Sequence, residues 1–207
     1  MDRLSALAVG VAVAGAVTLG GASSLGGCND GRTSSGDPPS RVNGAKTAVP
    51  VGATSAAFCD VHPAAAAAVP FQLPALAAGT LPAAGKGWRW INVWATWCKP
   101  CVEELPRLAR WRDKLGAAGM PIELAFVSVD ESDAVVNAFR ELHPETPPSL
   151  RLAAADQQGA WFVALGLDAA APIPVHVFVD PAGKTRCVRA GGVREQDFAA
   201  VERLLRE

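Results

Sequence analysis

Two cysteines separated by two residues are the first chemistry this sequence offers: Cys98-Lys99-Pro100-Cys101. Such a pair has three meanings open to it: a redox dithiol, half of a zinc site, or two thiols of a core. Zinc asks for two further ligands in a similar cluster, and His62, His143 and His176 each stand apart from any second ligand. The setting favours redox. The β-prone run Gly87–Trp94 leads into Cys98, and a helical pattern follows from Lys99 to Leu115. Cys98 then falls at a helix N-terminus, where unpaired N–H groups and the dipole favour a thiolate. Lowering a thiol pKa from about 8.5 to about 7 raises its thiolate fraction at neutral pH from a few per cent to about half. Cys101, one turn later, is spaced to resolve a mixed disulfide.

The elements that must carry this pair can be read along the chain. Gly85-Lys86-Gly87 is a turn signal before the first strand, and Gly116, Gly119 and Pro121 close the helix. Pro100 belongs to its first turn, whereas Pro106 lies inside and predicts a kink. Ile122–Val129 is a second strand ending at Asp130, and Ser132 can cap a helix to Leu142. Gln157–Leu165 is helical after a looser region. Val175–Asp180 and Thr185–Ala190 form a hairpin about Pro181-Ala182-Gly183-Lys184, and Arg194–Leu205 is a terminal amphipathic helix. The order β-α-β-α-(α)-β-β-α predicts a three-layer α/β/α sandwich on a mixed central sheet.

On the helix after the dithiol, Glu104 aligns with Leu108, Trp111 and Leu115, so it belongs to the apolar face. Glu103 aligns with Arg107, Arg110 and Lys114, an ordinary solvated face. A carboxylate partly buried beside a dithiol is expected to have a raised pKa and to be able to pass a proton. The plainer reading is that Glu104 only complements the helix N-terminus.

Asn92-Val93-Trp94-Ala95-Thr96-Trp97-Cys98-Lys99-Pro100-Cys101 resembles the active-site segment of thioredoxin-like proteins of the TlpA/ResA type. Ile173-Pro174-Val175-His176-Val177-Phe178-Val179-Asp180-Pro181-Ala182-Gly183-Lys184 resembles that family's cis-proline loop, strand and hairpin. The resemblance runs from about Phe71 to the C-terminus. It implies a thioredoxin-like fold and a cis Ile173–Pro174 bond facing the dithiol, with the loop offering backbone groups to a substrate; Pro172 is the rival proline. Thioredoxins carry a buried Asp where this chain has Asn92, which cannot take a proton. The family's glutamate three residues after the second cysteine matches Glu104, which becomes the candidate proton acceptor for Cys101. Trp97 either shapes a substrate surface or packs over the site. His176 stands where the family usually has Thr; it could bond a substrate, perturb Cys98, or be a solvated strand histidine.

The N-terminal segment suggests export. After Asp2 and Arg3 no charge appears before Asp30, and Leu4–Ala22 is an apolar run of the signal type. It ends in Leu25-Gly26-Gly27-Cys28, which resembles a bacterial lipobox with Cys28 as the lipid-bearing residue. An uncleaved transmembrane helix and an ordinary cleaved signal are the alternatives. Residues 1–27 are therefore expected to be an export signal, 28–56 a flexible tether rich in Gly, Ser and Pro, and 57–207 the folded domain. With Cys28 and the active pair set aside, Cys59 and Cys187 remain of the five cysteines. In an oxidising compartment they are expected to form a structural disulfide, against the alternative of two unpaired thiols.

The formal net charge of −1 gives no sign of a nucleic-acid partner. The expected activity is thiol–disulfide exchange without a cofactor or metal, in a domain tethered to the outer face of a membrane. What the resemblance implies is a reductase fed by a membrane thiol electron donor, with an apocytochrome c or a copper-site protein as the disulfide-bearing client. The alternative is a copper(I)-binding, metallochaperone-like module using Cys98 and Cys101 with help from His176. A thiol peroxidase is disfavoured, because Ala95 replaces the threonine expected three residues before its reactive cysteine.

Overall fold

The computed structural model describes residues 54–82 and 85–207. The export signal of residues 1–27, the lipidation candidate Cys28 and most of the tether lie outside the described residues. Among the described residues no helix is long and apolar enough to cross a membrane.

A run rich in Trp, Ile and Val forms β1 (Trp88–Trp94), followed by α2 (Lys99–Ala117), β2 (Ile122–Ser128), α3 (Asp133–Leu142), β3 (Leu150–Arg151), α4 (Gln157–Ala164), β4 (Val175–Val179), β5 (Thr185–Ala190) and α5 (Phe198–Leu204); a four-residue α1 (Ser55–Phe58) precedes them. The five strands lie in the order β3-β2-β1-β4-β5. β1 pairs in parallel with β2 and antiparallel with β4, so the sheet is mixed, as expected. Ser132 caps α3 by accepting from the Val135 N–H. α2 runs on through Pro106, which omits one N–H from the helical ladder without ending it.

Strand register divides the sheet into two unlike faces. Trp90 pairs with Phe178 and Asn92 with His176, while Phe178 pairs with Cys187 and His176 with Arg189. Side chains alternate along a strand, so these six share one face. Ile91, Val93, Val175, Val177 and Val188, all apolar and buried, make up the centre of the other. The mixed face is covered by α2 and the C-terminal segment: Trp111 lies 6.2 Å from Trp90 and 5.2 Å from Phe198, between ring centroids.

Three sequence expectations are corrected here. The folded part starts before residue 57, because Thr54 caps α1 and Ser55, buried, donates to the Glu207 carboxylate. The C-terminal helix is not continuous from Arg194: Glu195–Asp197 is a 3₁₀ turn closed by the Asp197 carboxylate on the Arg194 N–H, and α5 begins at Phe198. The looser region before α4 contains β3, too short for a periodicity to reveal. The segment after α1 also pairs with both sheet edges. Val61 bridges Val188 beside β5, and Leu76 bridges Leu152 next to β3, so neither edge offers a free ladder.

Cys59 and Cys187 are bonded (Sγ–Sγ 1.99 Å), closing a loop with a sequence separation of 128. Replacing both by Ser is expected to lower the free energy of unfolding by about 2–4 kcal/mol, measured by urea denaturation with the active dithiol reduced in both proteins. Glu195 is held below the usual carboxylate range, first by the Trp111 indole N–H and then by Arg110 and Arg107. A lowered carboxylate stabilises the fold above its unfolded pKa and loses that contribution as pH falls through the folded one. Glu195→Gln should therefore lower Tm at pH 7 by no more than about 3 °C, since the side chain is 63% exposed. By pH 3 the gap should narrow, as thermal melts across that range would show.

Candidate functional site

The dithiol sits where β1 gives way to α2. Cys98 is the N-cap residue of α2 and Pro100 occupies its first turn. A proline is tolerated there because the first N–H groups of a helix have no intrahelical acceptor. Cys98 and Cys101 are joined (Sγ–Sγ 2.04 Å), and Cys98 is only 5% exposed while Cys101 is fully buried. Cys98 is thus the less buried residue of the pair, the order required for attack by Cys98 and resolution by Cys101. Trp97 is 69% exposed and forms an apolar shoulder beside Cys98.

The loop that presents Cys98 is clamped from β2. Asp130 accepts from the Thr96 N–H (3.0 Å) and hydroxyl (2.8 Å), and from the Ser128 hydroxyl at 2.6 Å. Asp130 was read from the sequence only as the end of a strand. A buried acid at the carboxyl end of a strand parallel to β1, next to the reactive turn, is the signal that could have marked it.

On the other side stands the proline loop. The Ile173–Pro174 bond is cis, and the Ile173 carbonyl oxygen lies 3.7 Å from Cys98 Sγ. Both residues are buried and Pro172 is exposed, so Pro174 and not Pro172 faces the dithiol.

Beneath the pair, Glu104 lies one turn along α2 from Cys101 and is 1% exposed. Asn92 Nδ2 donates to its Oε1 at 2.9 Å, and the Val193 N–H donates to its Oε2 at 3.0 Å. A Cβ on Gly192 would lie 3.2 Å from Oε2 and 3.9 Å from Pro174 Cγ, so this loop fits tightly between the carboxylate and the cis-proline ring. His176 Nε2 is 3.4 Å from Oε1, and its Nδ1 accepts from the Trp90 indole N–H at 3.2 Å. The solvated reading of His176 is therefore wrong: it is fully buried, because β4 is an inner strand with its mixed face under α2. Nor is it free to complete a copper site, since both ring nitrogens face protein groups. Among the described residues, no group of three or more His, Cys, Asp or Glu side chains is placed to hold a metal ion.

The same sheet face carries Arg189, buried, donating to the Phe58 carbonyl at 2.9 Å and lying 3.7 Å from Asp197. Burial pushes its guanidinium below the ordinary value, while Asp197 and then Glu104 oppose that shift. Nothing local marks Arg189 as functional, yet the alternation Cys187, Val188, Arg189 places it on the same face as the inward cysteine. Of the sequence-predicted residues, Trp97, Cys98, Cys101, Glu104, Ile173 and Pro174 gather at this end of the sheet. Cys59 and Cys187 form their own bond elsewhere on it.

Comparison with known proteins agrees with this arrangement. The thioredoxin-like protein YneN of Bacillus subtilis is 33% identical over 60 residues, 29% of this chain and 35% of that protein. The thiol-disulfide oxidoreductase ResA of Geobacillus thermodenitrificans is 30% identical over 114 residues, 55% of this chain and 60% of that one. The chain thus spans between about a third and three-fifths of these curated relatives. A thioredoxin-related protein from Neisseria meningitidis serogroup B superposes with a TM-score of 0.51 at 22% identity, covering 62% of this chain and 92% of that structure, which establishes the thioredoxin-like fold. The sequence pattern of the AhpC/TSA family matches residues 65–188, and with the mixed sheet in place this chain belongs to that family.

Proposed function

We propose that this protein is a thiol–disulfide oxidoreductase that reduces disulfides of client proteins, and that it works outside the cytoplasm, tethered to a membrane by its N-terminal segment. The observation that carries the reaction is the buried Glu104 carboxylate one helical turn from Cys101, under a dithiol whose first cysteine is the less buried. The similarity to ResA supports the same chemistry.

In the reduced protein, the Cys98 thiolate attacks one sulfur of the client disulfide. The client S–S bond breaks, a mixed disulfide forms, and one client thiolate leaves. Cys101 then gives its proton to Glu104, and its thiolate attacks Cys98 Sγ. The second client thiolate departs and the Cys98–Cys101 disulfide closes. Two electrons pass from protein to client, and two protons end on the client thiols, one by way of Glu104 and one from solvent. The Ile173 carbonyl and the Trp97 ring flank the point of attack. A dithiol donor on the membrane restores the reduced pair. Apocytochrome c haem-site cysteines and copper-site cysteines are the proposed clients, supported by the resemblance to the TlpA/ResA type.

Cys101→Ser should halt the reaction at the mixed disulfide, so that intact cells accumulate covalent Cys98–client adducts that mass spectrometry identifies. Their absence, together with hydroperoxide turnover by the wild type, would overturn the reductase reading. Glu104→Gln should slow disulfide reduction by about 100-fold near neutral pH, followed by stopped-flow tryptophan fluorescence. Rates unchanged between pH 5 and 8 would remove Glu104 from the mechanism. In-cell thiol trapping should find Cys98–Cys101 mostly reduced, whereas a mostly oxidised pair would indicate an oxidase.

A further inference from the structure

Asn92, His176 and Arg189 form a row across β1, β4 and β5, each directly opposite the next in register and all buried on the face under α2. A core built only for packing would place apolar side chains here, as the centre of the opposite face does. The row instead has a carboxylate at each end, Glu104 over Asn92 and His176, and Asp197 beside Arg189. The charge of Arg189 thus acts on both buried acids. Asp197 also has the Arg194 N–H at 2.8 Å. Glu104 takes its hydrogen bonds from the neutral donors Asn92 and Val193, with His176 the next group facing it.

The imidazole is oriented by Trp90. The indole can only donate, so Nδ1 must present its lone pair, and the ring hydrogen of neutral His176 belongs to Nε2. That nitrogen has no partner meeting hydrogen-bond geometry and faces Glu104 Oε1 at 3.4 Å. The ring therefore cannot take a proton from Glu104 at Nε2; it can only offer one to the carboxylate.

We propose that His176 is a positioning residue for the proton acceptor: through the tautomer fixed by Trp90, its Nε2–H supports the ionised form of Glu104 and keeps that carboxylate available to Cys101 at mildly acidic pH. This rests on the reading of Glu104 as the base. When Cys101 passes its proton to Glu104, negative charge moves from the carboxylate to the neighbouring sulfur, and His176 then faces a neutral acid. The groups facing Glu104 are Asn92 from β1, His176 from β4, Arg189 from β5 with Asp197 beside it, and the Val193 N–H of the following loop, and Cys101 lies one turn before it on its own helix. Of these, His176 is the group whose tautomer is set by a side chain, Trp90, that the mechanism does not use.

The test measures the rate of reduction of a disulfide-bonded peptide from pH 5 to 9 with the full-length protein, for wild type, His176→Phe, His176→Gln and Glu104→Gln. Phe keeps a ring of similar volume without a donor; Gln restores an N–H near the position of Nε2. His176→Phe should move the acid limb of the profile up by at most about one pH unit, a tenfold loss below the limb, since an N–H dipole 3.4 Å from the carboxylate is worth no more than a hydrogen bond to a charged group. His176→Gln should return the limb towards the wild-type position, and in the Glu104→Gln background His176→Phe should shift nothing further. A limb unmoved in His176→Phe while Glu104→Gln abolishes it would overturn the role of His176 alone. A profile that Glu104→Gln leaves intact would overturn the base assignment, and this inference with it. Should His176→Phe fail to fold, by near-ultraviolet circular dichroism, His176→Leu carries the same comparison.

Discussion

The arrangement of this molecule turns on one buried carboxylate. Glu104 is almost wholly removed from water, and an ionised carboxylate in such a place is tolerated only when its oxygens are met by donors. Those donors come from two distant parts of the chain, Asn92 on the central strand and Val193 in the loop after the last strand, while His176 Nε2 on the neighbouring strand stands 3.4 Å away. Satisfying one side chain therefore fixes how α2 lies on the sheet and how the C-terminal loop closes over it. Because Cys101 is on the same helix, that requirement also sets where the dithiol sits.

The surroundings of the dithiol follow from the same sheet. Asp130 holds the turn before Cys98 from one side, and the Ile173–Pro174 loop meets Cys98 from the other. Both are anchored at the ends of strands paired to β1, so the groups that flank Cys98 are carried by rigid elements. The exposed Trp97 is the contrasting feature, a large apolar ring left in water next to the less buried cysteine.

Stability is provided away from this end. The segment between α1 and β1 borders both sheet edges, and the Cys59–Cys187 bond ties its beginning to β5. Arg189 joins the two regions: it reaches back to the Phe58 carbonyl, next to the disulfide, while its charge acts on Asp197 and Glu104. The structural and reactive halves of the sheet are therefore electrostatically continuous across β5.

Local patterns determined a good deal. The spacing of Cys98 and Cys101, the strand-to-helix turn and the apolar alignment of Glu104 are properties of consecutive residues, and helical periodicity alone puts Glu104 inside. The hairpin through Gly183 and the mixed sheet likewise follow from runs of β-branched residues and their turns. What the sequence left open was always a contact between distant residues. Nothing local to Val175–Val179 says which face of β4 is covered, so His176 looked as well suited to solvent as to the core; the packing of α2 decided it. The partners of Glu104, the inward turn of Arg189, the clamp by Asp130 and the pairing of Val61 and Leu76 with the sheet edges belong to the same class. Periodicity fixes the face of an element, but hydrogen-bond partners are fixed only when elements meet. The two thiols were legible in the chain, whereas the groups that meet the buried Glu104 one turn further along are brought together only in the folded protein.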